Sequence, residues 1–245
     1  MTVWNPWHGC TKVSAGCRNC YMFRRDSKYG IDSTIVRQTK EFSLPVKRNR
    51  QKEYKIPTGE VIYTCFTSDF FHEAADEWRA QAWSMIKERS DCHFYMITKR
   101  PERIAAALPP IGCLENVTIV CTCENQYWAD RRLPIFLSLP LPHKEIIHEP
   151  MLSNIHIEKY LEKYSSEIEA VSVGGESGEG TGIRPLNFGW VIETQMQCHV
   201  YRVPFRFHQT GSILIRGDKV YHIPREEQES QAQKAGMDWD PGIPA

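Results

Sequence analysis

From residue 61 onward, short apolar segments alternate along the chain with longer segments of helical periodicity. The apolar segments are rich in β-branched and aromatic residues, recur at intervals of roughly 25–35 residues, and occupy positions 61–66, 93–97, 117–121, 144–147, 170–173 and 204–207. The helical segments lie between them, at 77–88, 102–108, 128–137, 157–163 and 190–198. Strands that alternate with helices in this way are typical of βαβ units and a parallel sheet.

We therefore predict an α/β fold in which residues 1–211 form a partial (β/α) barrel of six or seven parallel strands, with residues 2–5 as the additional strand. A doubly wound open sheet is the alternative. In both folds the ligand binds at the carboxyl ends of the strands. Residues 31–58 are polar and basic and predict an irregular segment. Residues 212–245 predict a separate extension, with a hairpin around Gly217 and Asp218 and an exposed helix at 226–235.

Three cysteines lie within residues 1–21, named here the cysteine loop, which precede these segments. Cys10, Cys17 and Cys20 have the spacing C-x6-C-x2-C among glycines and prolines, which favour a loop. Such a loop can bring three thiolates around one centre, and three interpretations remain open. They are a zinc site completed by His8, three unrelated buried thiols, and a 4Fe–4S cluster with one iron not held by the protein.

Composition and charge limit the class of protein. The chain is 41% hydrophobic and 24% charged, which is typical of a folded domain. We expect a cytoplasmic protein, because no apolar run approaches the roughly 20 residues of a membrane span and no signal peptide precedes the fold. The nine cysteines, an odd number, argue against a disulfide framework. Residues 1–55 contain twelve Lys or Arg and four acidic residues, a net charge of +8, which suits either a nucleic-acid phosphate backbone or a solvated surface.

Polar side chains follow each predicted strand. They are Thr67, Ser68, Asp69, Lys99, Arg100, Glu124, Asn125, His148, Glu149, Glu176, Ser177, His208 and Gln209. We expect these groups to surround one opening and to bind a ligand. Lys99 and Arg100 suit a carboxylate or phosphate, His148 is either a general acid–base group or a packed histidine, and Glu176 follows two glycines that permit close approach.

Several of these motifs together resemble a known family. They are Trp4-Asn5-Pro6, the three cysteines, Thr67-Ser68-Asp69-Phe70-Phe71-His72-Glu73, Thr98-Lys99-Arg100-Pro101-Glu102-Arg103, Glu124-Asn125-Gln126, Glu149-Pro150-Met151-Leu152 and Gly174-Gly175-Glu176-Ser177-Gly178. In this order they resemble a phage-associated three-Cys-motif family, which in turn resembles a divergent branch of the radical S-adenosylmethionine superfamily. The first cysteine gap is six residues here and three in that superfamily.

The resemblance implies a radical enzyme in which Cys10, Cys17 and Cys20 hold a 4Fe–4S cluster that binds S-adenosylmethionine. The implied cofactor-binding residues are Thr67, Ser68, Asp69, Glu124, Asn125, Gly174, Gly175, Glu176 and Ser177. The implied catalytic residues are Lys99, Arg100 and His148. The partners expected are an electron donor and a nucleic acid, nucleotide or modified base that contacts the basic residues between positions 12 and 55. The alternative function is a zinc-stabilised nucleic-acid-binding module without catalytic activity.

Overall fold

The computed structural model describes residues 2–110, 112, 114–180 and 182–242. Within these ranges the chain forms an α/β fold. Its strands are β1 (Thr2–Trp4), β2 (Trp7–His8), β3 (Arg37–Gln38), β4 (Val61–Thr64), β5 (His93–Thr98), β6 (Val117–Thr122), β7 (His143–His148), β8 (Ile168–Gly174), β9 (Leu186–Asn187), β10 (Phe205–Gln209), β11 (Ile213–Arg216) and β12 (Lys219–His222). Its α-helices are α1 (Tyr21–Ser27), α2 (Asp76–Glu88), α3 (Pro101–Ala107), α4 (Gln126–Leu137), α5 (Glu158–Tyr164), α6 (Phe188–Val200) and α7 (Gln228–Lys234).

Seven strands form the main sheet, in the order β1-β4-β5-β6-β7-β8-β10. The pairs β1–β4, β4–β5, β7–β8 and β8–β10 are parallel. The strands follow one another across the sheet in chain order, which is the order of a partial (β/α) barrel. A doubly wound sheet would reverse direction at a switch point, so that alternative is wrong. The prediction of six or seven parallel strands is confirmed at the higher number, because residues 2–4 pair with β4.

The strands differ in how completely they are buried. All six residues of β6 are buried, as expected of a strand covered on both faces. In β5, by contrast, Phe94, Met96 and Thr98 are buried while the alternate residues are only partly buried. One face of this strand remains accessible.

The chain divides into two compact units. Unit 1 comprises Met1–Lys12, Met22–Val120 and Ser138–His143, and unit 2 comprises Val13–Tyr21, Cys121–Leu137 and Lys144–Ala245. In unit 1 an aromatic cluster forms the core: the ring centroid of Phe70 lies 5.1 Å from that of Trp7 and 5.0 Å from that of Trp83 on α2. All three residues are at least 96% buried, which anchors the helix against the segment that follows β1.

The segment 31–58 in unit 1 is mostly irregular, as predicted, but it is tied to the core. Arg89 is fully buried at the end of α2 and donates hydrogen bonds to the carbonyl oxygens of Pro45 (2.6 Å) and Ile56 (2.9 Å). The short strand β3 in this segment pairs with β2. A single buried guanidinium therefore supplies the donors that this irregular backbone needs.

In unit 2 the predicted hairpin is confirmed. Strands β11 and β12 pair antiparallel across Gly217, and β11 also pairs with β9, which the sequence pattern did not indicate. The chain after α7 returns to β10, where Trp239 forms a bridge with Phe205. Within the described ranges, no helix combines the length and apolar composition that a membrane span requires. Cys113 and residues 243–245 of the predicted extension lie outside the described residues.

Candidate functional site

The turn after β4 holds the segment that leads to Cys10. The amide of Gly9 donates to the carbonyl oxygen of Thr67 (3.0 Å), and the hydroxyl of Ser68 donates to the carbonyl oxygen of Gly9 (2.5 Å). The amide of Thr67 donates to the side-chain oxygen of Asn5 (3.0 Å). The predicted cofactor-binding pair Thr67 and Ser68 thus makes its hydrogen bonds with the cysteine loop.

Arg100, which follows β5, binds the loop at Cys10 itself. Its guanidinium donates to the Thr11 carbonyl oxygen (2.9 Å) and hydroxyl (2.8 Å), and one of its nitrogens lies 3.7 Å from the Cys10 sulfur. It also forms an ion pair with Asp69 (3.1 Å), and both residues are at least 96% buried. Burial alone would lower the pKa of Arg100, but the charges of Asp69 and Cys10 raise it, so the guanidinium stays protonated.

Asp69 has a hydrogen-bond partner for each carboxylate oxygen. One oxygen accepts from the Thr98 hydroxyl (2.8 Å) and the Phe71 amide (3.0 Å), and the other accepts from the Lys99 amide (3.1 Å). Its carbonyl oxygen accepts from the Trp7 indole (3.1 Å). The Asp69 carboxylate is thus surrounded by protein donors, and its assignment as a cofactor-binding residue stays a prediction.

Glu124, which follows β6, holds the part of the loop around Cys17. One carboxylate oxygen accepts from the amide of Gly16 (3.0 Å), inside a 3₁₀ turn that spans Ala15–Cys17. The other pairs with Arg132 on α4 (2.7 Å), and Glu124 is fully buried. Burial raises the pKa of Glu124, but Arg132 and the hydrogen bonds of the loop outweigh it and lower the pKa below its usual value.

Glu176, which follows β8, holds the next part of the loop. Its carboxylate accepts from the side-chain amide of Asn19 (2.8 Å) and from the backbone amide of Arg184 (2.9 Å), and it forms a two-point ion pair with the Arg184 guanidinium. Arg184 also donates to the carbonyl oxygen of Ala15 (2.9 Å). Glu176 is only 5% exposed, and its carboxylate contacts Asn19 of the loop and the Arg184 that also contacts the loop.

The two glycines before Glu176 make room for protein atoms. A Cβ on Gly174 would lie 2.4 Å from the carboxylate of Glu149, and a Cβ on Gly175 would lie 2.3 Å from the carbonyl oxygen of Thr210. The Glu149 carboxylate, seated over Gly174, accepts a hydrogen bond from Gln209 (2.8 Å). The sequence predicted close approach at these glycines, and the atoms that approach them belong to neighbouring strand ends.

Two further candidates also have local partners. Asn125 precedes α4, and its side-chain oxygen accepts from the Trp128 amide (3.0 Å), as in an N-terminal helix cap. The hydroxyl of Ser177 lies 2.5 Å from the side-chain oxygen of Gln228 at the start of α7. The assignment of Asn125 and Ser177 as cofactor-binding residues stays a prediction.

Comparison with protein families matches residues 1–241 to the family described as "Protein of unknown function (DUF5131)". The chain belongs to the DUF5131 family. Comparisons with curated proteins and with solved structures gave no match.

The geometry also identifies residues of this DUF5131 protein that sequence reasoning missed. Thr11 and Asn19 lie inside the cysteine loop, next to Cys10 and Cys20, and this position in the sequence could have identified them as candidates. Arg132 lies eight residues after Glu124 on an amphipathic helix. Arg184 lies in an irregular segment, and nothing in the sequence indicated that it would pair with Glu176.

The zinc hypothesis needs His8 as its fourth ligand. The His8 Nε2 atom lies 2.6 Å from the carboxylate of Asp26, which is 2% exposed and also accepts from the Ser33 hydroxyl (2.7 Å). The Nε2 atom of His8 therefore already has a hydrogen-bond partner and is not directed at the three cysteines as a metal ligand. In the part of the chain that the structure describes, no group of three or more His, Cys, Asp or Glu side chains is arranged to hold a metal ion.

The cysteines fall into two classes by accessibility. Cys10, Cys17 and Cys20 are partly exposed free thiols, whereas the other described cysteines are buried: Cys65, Cys92, Cys121, Cys123 and Cys198. Burial raises the pKa of the Cys65, Cys92, Cys123 and Cys198 thiols. The three loop thiols suit a thiolate-bound group by donor chemistry alone, since thiolate sulfur is the usual ligand of iron–sulfur clusters. Like the other described side chains, they are not already arranged around a metal position.

We expect brief treatment of the folded, reduced protein with iodoacetamide to modify the three loop cysteines and to spare the five buried ones. The physical reason is that alkylation requires an accessible thiolate, and the five buried thiols are not accessible to the reagent. Peptide mass spectrometry before and after denaturation measures this directly. Equal labelling of Cys10 and Cys121 in the folded protein would contradict the structure.

His148 lies at the end of β7 and is fully buried in unit 2. Its Nδ1 atom lies 2.7 Å from the Cys123 carbonyl oxygen, which fixes the proton on that nitrogen. Burial lowers the pKa of His148 to about 4, so the ring is neutral at pH 7. Of the two sequence interpretations, this geometry favours a packed, hydrogen-bonded histidine.

The lowered pKa of His148 predicts a loss of stability in mild acid. Between the pKa of His148 in the unfolded chain, about 6.5, and its pKa in the folded protein, about 4, the ring is protonated in the unfolded chain and neutral in the folded protein. The free energy of unfolding is therefore unaffected by His148 above the unfolded pKa and falls as the pH decreases below it. From about pH 7 to about pH 5 the expected loss is about 2 kcal/mol, measured by urea unfolding. His148→Gln should remove this part of the slope, whereas His222→Gln, at an exposed position on β12, should leave it unchanged.

Proposed function

We propose that this chain is a radical S-adenosylmethionine enzyme in which Cys10, Cys17 and Cys20 hold a 4Fe–4S cluster. One observation carries the proposal. The turns after β4 and β5 hold the loop at Cys10, and the turns after β6 and β8 hold it around Cys17 and Cys20. The polar residues of those turns thus contact the loop that carries the three accessible thiols.

The energetic cost of this arrangement supports a functional loop. Asp69, Glu124 and Glu176 are each at least 95% buried, and each is paired with an arginine. Burying such pairs costs desolvation free energy that a hydrophobic contact would avoid. Positioning a ligand-bearing loop to within a fraction of an ångström is a purpose for which directional, charge-assisted hydrogen bonds are suited.

When bound, a cluster of this kind supplies the single electron that cleaves S-adenosylmethionine into methionine and a carbon radical. The chain would supply the thiolates and their placement. Arg100 would keep a positive charge beside the Cys10 sulfur. Glu124 would act through the Gly16 amide and Glu176 through the Asn19 side chain, both as positioning residues. The assignments of Lys99, Arg100 and His148 as catalytic, and of the strand-end residues as cofactor ligands, remain predictions.

The basic N-terminal segment supports a phosphate-bearing substrate. Eleven of the twelve Lys and Arg side chains within residues 1–55 are exposed, the exception being Arg24. Exposed cations at this density attract nucleic acids and nucleotides. A nucleic acid, nucleotide or modified base is therefore the proposed substrate class, and an electron donor is the second expected partner.

Anaerobic reconstitution with iron and sulfide tests the proposal. We expect about four irons and four sulfides per chain, an electron paramagnetic resonance signal that changes when S-adenosylmethionine is added, and reductive formation of 5′-deoxyadenosine. Cys10→Ala, Cys17→Ala and Cys20→Ala should each lose the cluster. Cys198→Ala, which removes a buried cysteine of α6, is the matched control and should retain it.

The alternative module gives a different result in the same experiment. One zinc per chain that is lost in His8→Ala, with no stable cluster and no cleavage of S-adenosylmethionine, would replace the enzyme with a zinc-stabilised binding protein. A cluster that survives His8→Ala would exclude that module.

A further inference from the structure

A row of side chains lies on the partly accessible face of strands β1, β4 and β5. In register, Val3 pairs with Tyr63, and Tyr63 pairs with Tyr95, and all three side chains are partly exposed. The next register row, on the opposite face, is at least 99% buried and consists of Trp4, Thr64 and Met96. One face of this part of the sheet is thus sealed, and the other presents two tyrosine rings.

A third ring joins the two tyrosines because of an unusual backbone conformation. Cys65 has φ +63°, a left-handed conformation that is uncommon for a residue with a side chain. Cys65 directly follows β4 and precedes Phe66, whose ring centroid lies 5.7 Å from that of Tyr63 at an interplanar angle of 51°. The rings of Tyr63 and Tyr95 are 5.4 Å apart at 59°.

A cation follows on the same side of β5. Lys99 directly follows β5 and continues its alternation of partly exposed positions, at 93, 95 and 97. It lies four residues after Tyr95, about 13 Å away at the rise of an extended chain. Lys99 is partly exposed, and its ammonium group has no hydrogen-bond or ion-pair partner among the described residues. A lysine side chain and a sugar–phosphate arm together span that distance.

We propose that Tyr63, Phe66 and Tyr95, named here the aromatic row, bind the base of a nucleotide or of a single-stranded nucleic acid, with Lys99 on its phosphate. Every nucleobase has a π-face that stacks on an aromatic ring, so such a site tolerates sequence variation. The inference deepens the proposed function by naming the surface that binds its substrate. Only the chemical reaction of the bound base rests on the proposed function; binding of the base does not.

Charge decides between a nucleobase and an uncharged aromatic ligand. All of the twelve basic side chains within residues 1–55 except Arg18 belong to unit 1, the unit that contains the aromatic row. Acidic residues within the same stretch number four. This excess of positive charge favours a ligand that combines a planar ring with phosphate groups.

Binding to the reduced, cluster-free protein tests the inference. The probe is a short fluorescein-labelled oligothymidylate, followed by fluorescence anisotropy, with thymidine 5′-monophosphate as competitor. Tyr63→Leu and Tyr95→Leu keep the apolar bulk and remove the ring, and each should weaken binding by about 5- to 150-fold. Lys99→Gln should lower the slope of log K against log salt concentration by about one unit.

Tyr221→Leu is the matched control, because Tyr221 is 42% exposed on β12, in unit 2, and should leave the affinity unchanged. Competition by the monophosphate at similar concentration identifies a mononucleotide site, and competition only by strands identifies a single-strand site. Both results support the inference. Variants at Tyr63 and Tyr95 that retain the wild-type circular dichroism spectrum and bind the strand like wild type would overturn it.

The inference and the proposed function fail separately. If the reconstituted protein cleaves S-adenosylmethionine but no nucleotide or strand binds the aromatic row, the inference fails alone. If the row binds the strand and no cluster assembles, the binding site stands and the radical enzyme is abandoned.

Discussion

Replacing Arg100 with methionine is expected to lower the free energy of unfolding by about 3–5 kcal/mol, because it leaves a buried carboxylate without its cation. Asp69 is 4% exposed, and Arg100 is the cation paired with its carboxylate at 3.1 Å. The substitution also removes two hydrogen bonds to Thr11. Methionine occupies a similar volume, so the loss reports charge and hydrogen bonding rather than a cavity. Guanidinium unfolding followed by circular dichroism measures it.

Arg103→Met is the matched control for this substitution. Arg103 pairs with Asp76, whose side chain is 52% exposed, so water screens the pair and the expected cost is below about 1 kcal/mol. Equal and small effects at both positions would show that the Asp69 pair does not hold the loop.

Gly9→Ala is expected to cost about 3–5 kcal/mol, combining backbone strain with a clash. Gly9 has φ +101°, and a Cβ there would lie 2.3 Å from the carbonyl oxygen of Ile35. That oxygen belongs to the backbone, so no side-chain rotation relieves the contact. The cysteine loop must therefore separate from the segment that contains β3, or the local hydrogen bonds must break. The thermal midpoint and the urea midpoint should both fall.

Gly217→Ala separates the two causes of this loss. Gly217, in the hairpin between β11 and β12, has φ +59° with no atom within 4 Å of the position of a Cβ. It should cost only the strain of a left-handed residue, about 1–2 kcal/mol. If both alanine variants lose the same free energy of unfolding, a small backbone shift relieves the clash with Ile35 at little energetic cost. The loop then lacks the rigidity that the proposed function requires.

Much of the candidate site was identifiable before its geometry was known. The turns at Thr67–Asp69, Arg100, Glu124 and Glu176 stood out because polar residues followed apolar strands. What could not be inferred was the direction of those side chains. A carboxylate at a strand end serves equally well as a ligand for a small molecule or for the protein's own backbone, and the sequence pattern is the same in both cases. His148 illustrates the same ambiguity, since only its complete burial favours a packed histidine over an acid–base group.

The strand and helix order, the parallel α/β class, the C-terminal hairpin and the loop with three cysteines could all be predicted from the sequence. These features follow from periodicity and turn residues, which act over a few neighbouring positions. The contacts between the strand ends and that loop could not be predicted, because the partners are remote in the chain. Arg100 and Thr11 are 89 residues apart, Gly16 and Glu124 are 108 apart, and Asn19 and Glu176 are 157 apart. Hydrogen bonds over such separations form only after the sheet has brought its carboxyl ends together.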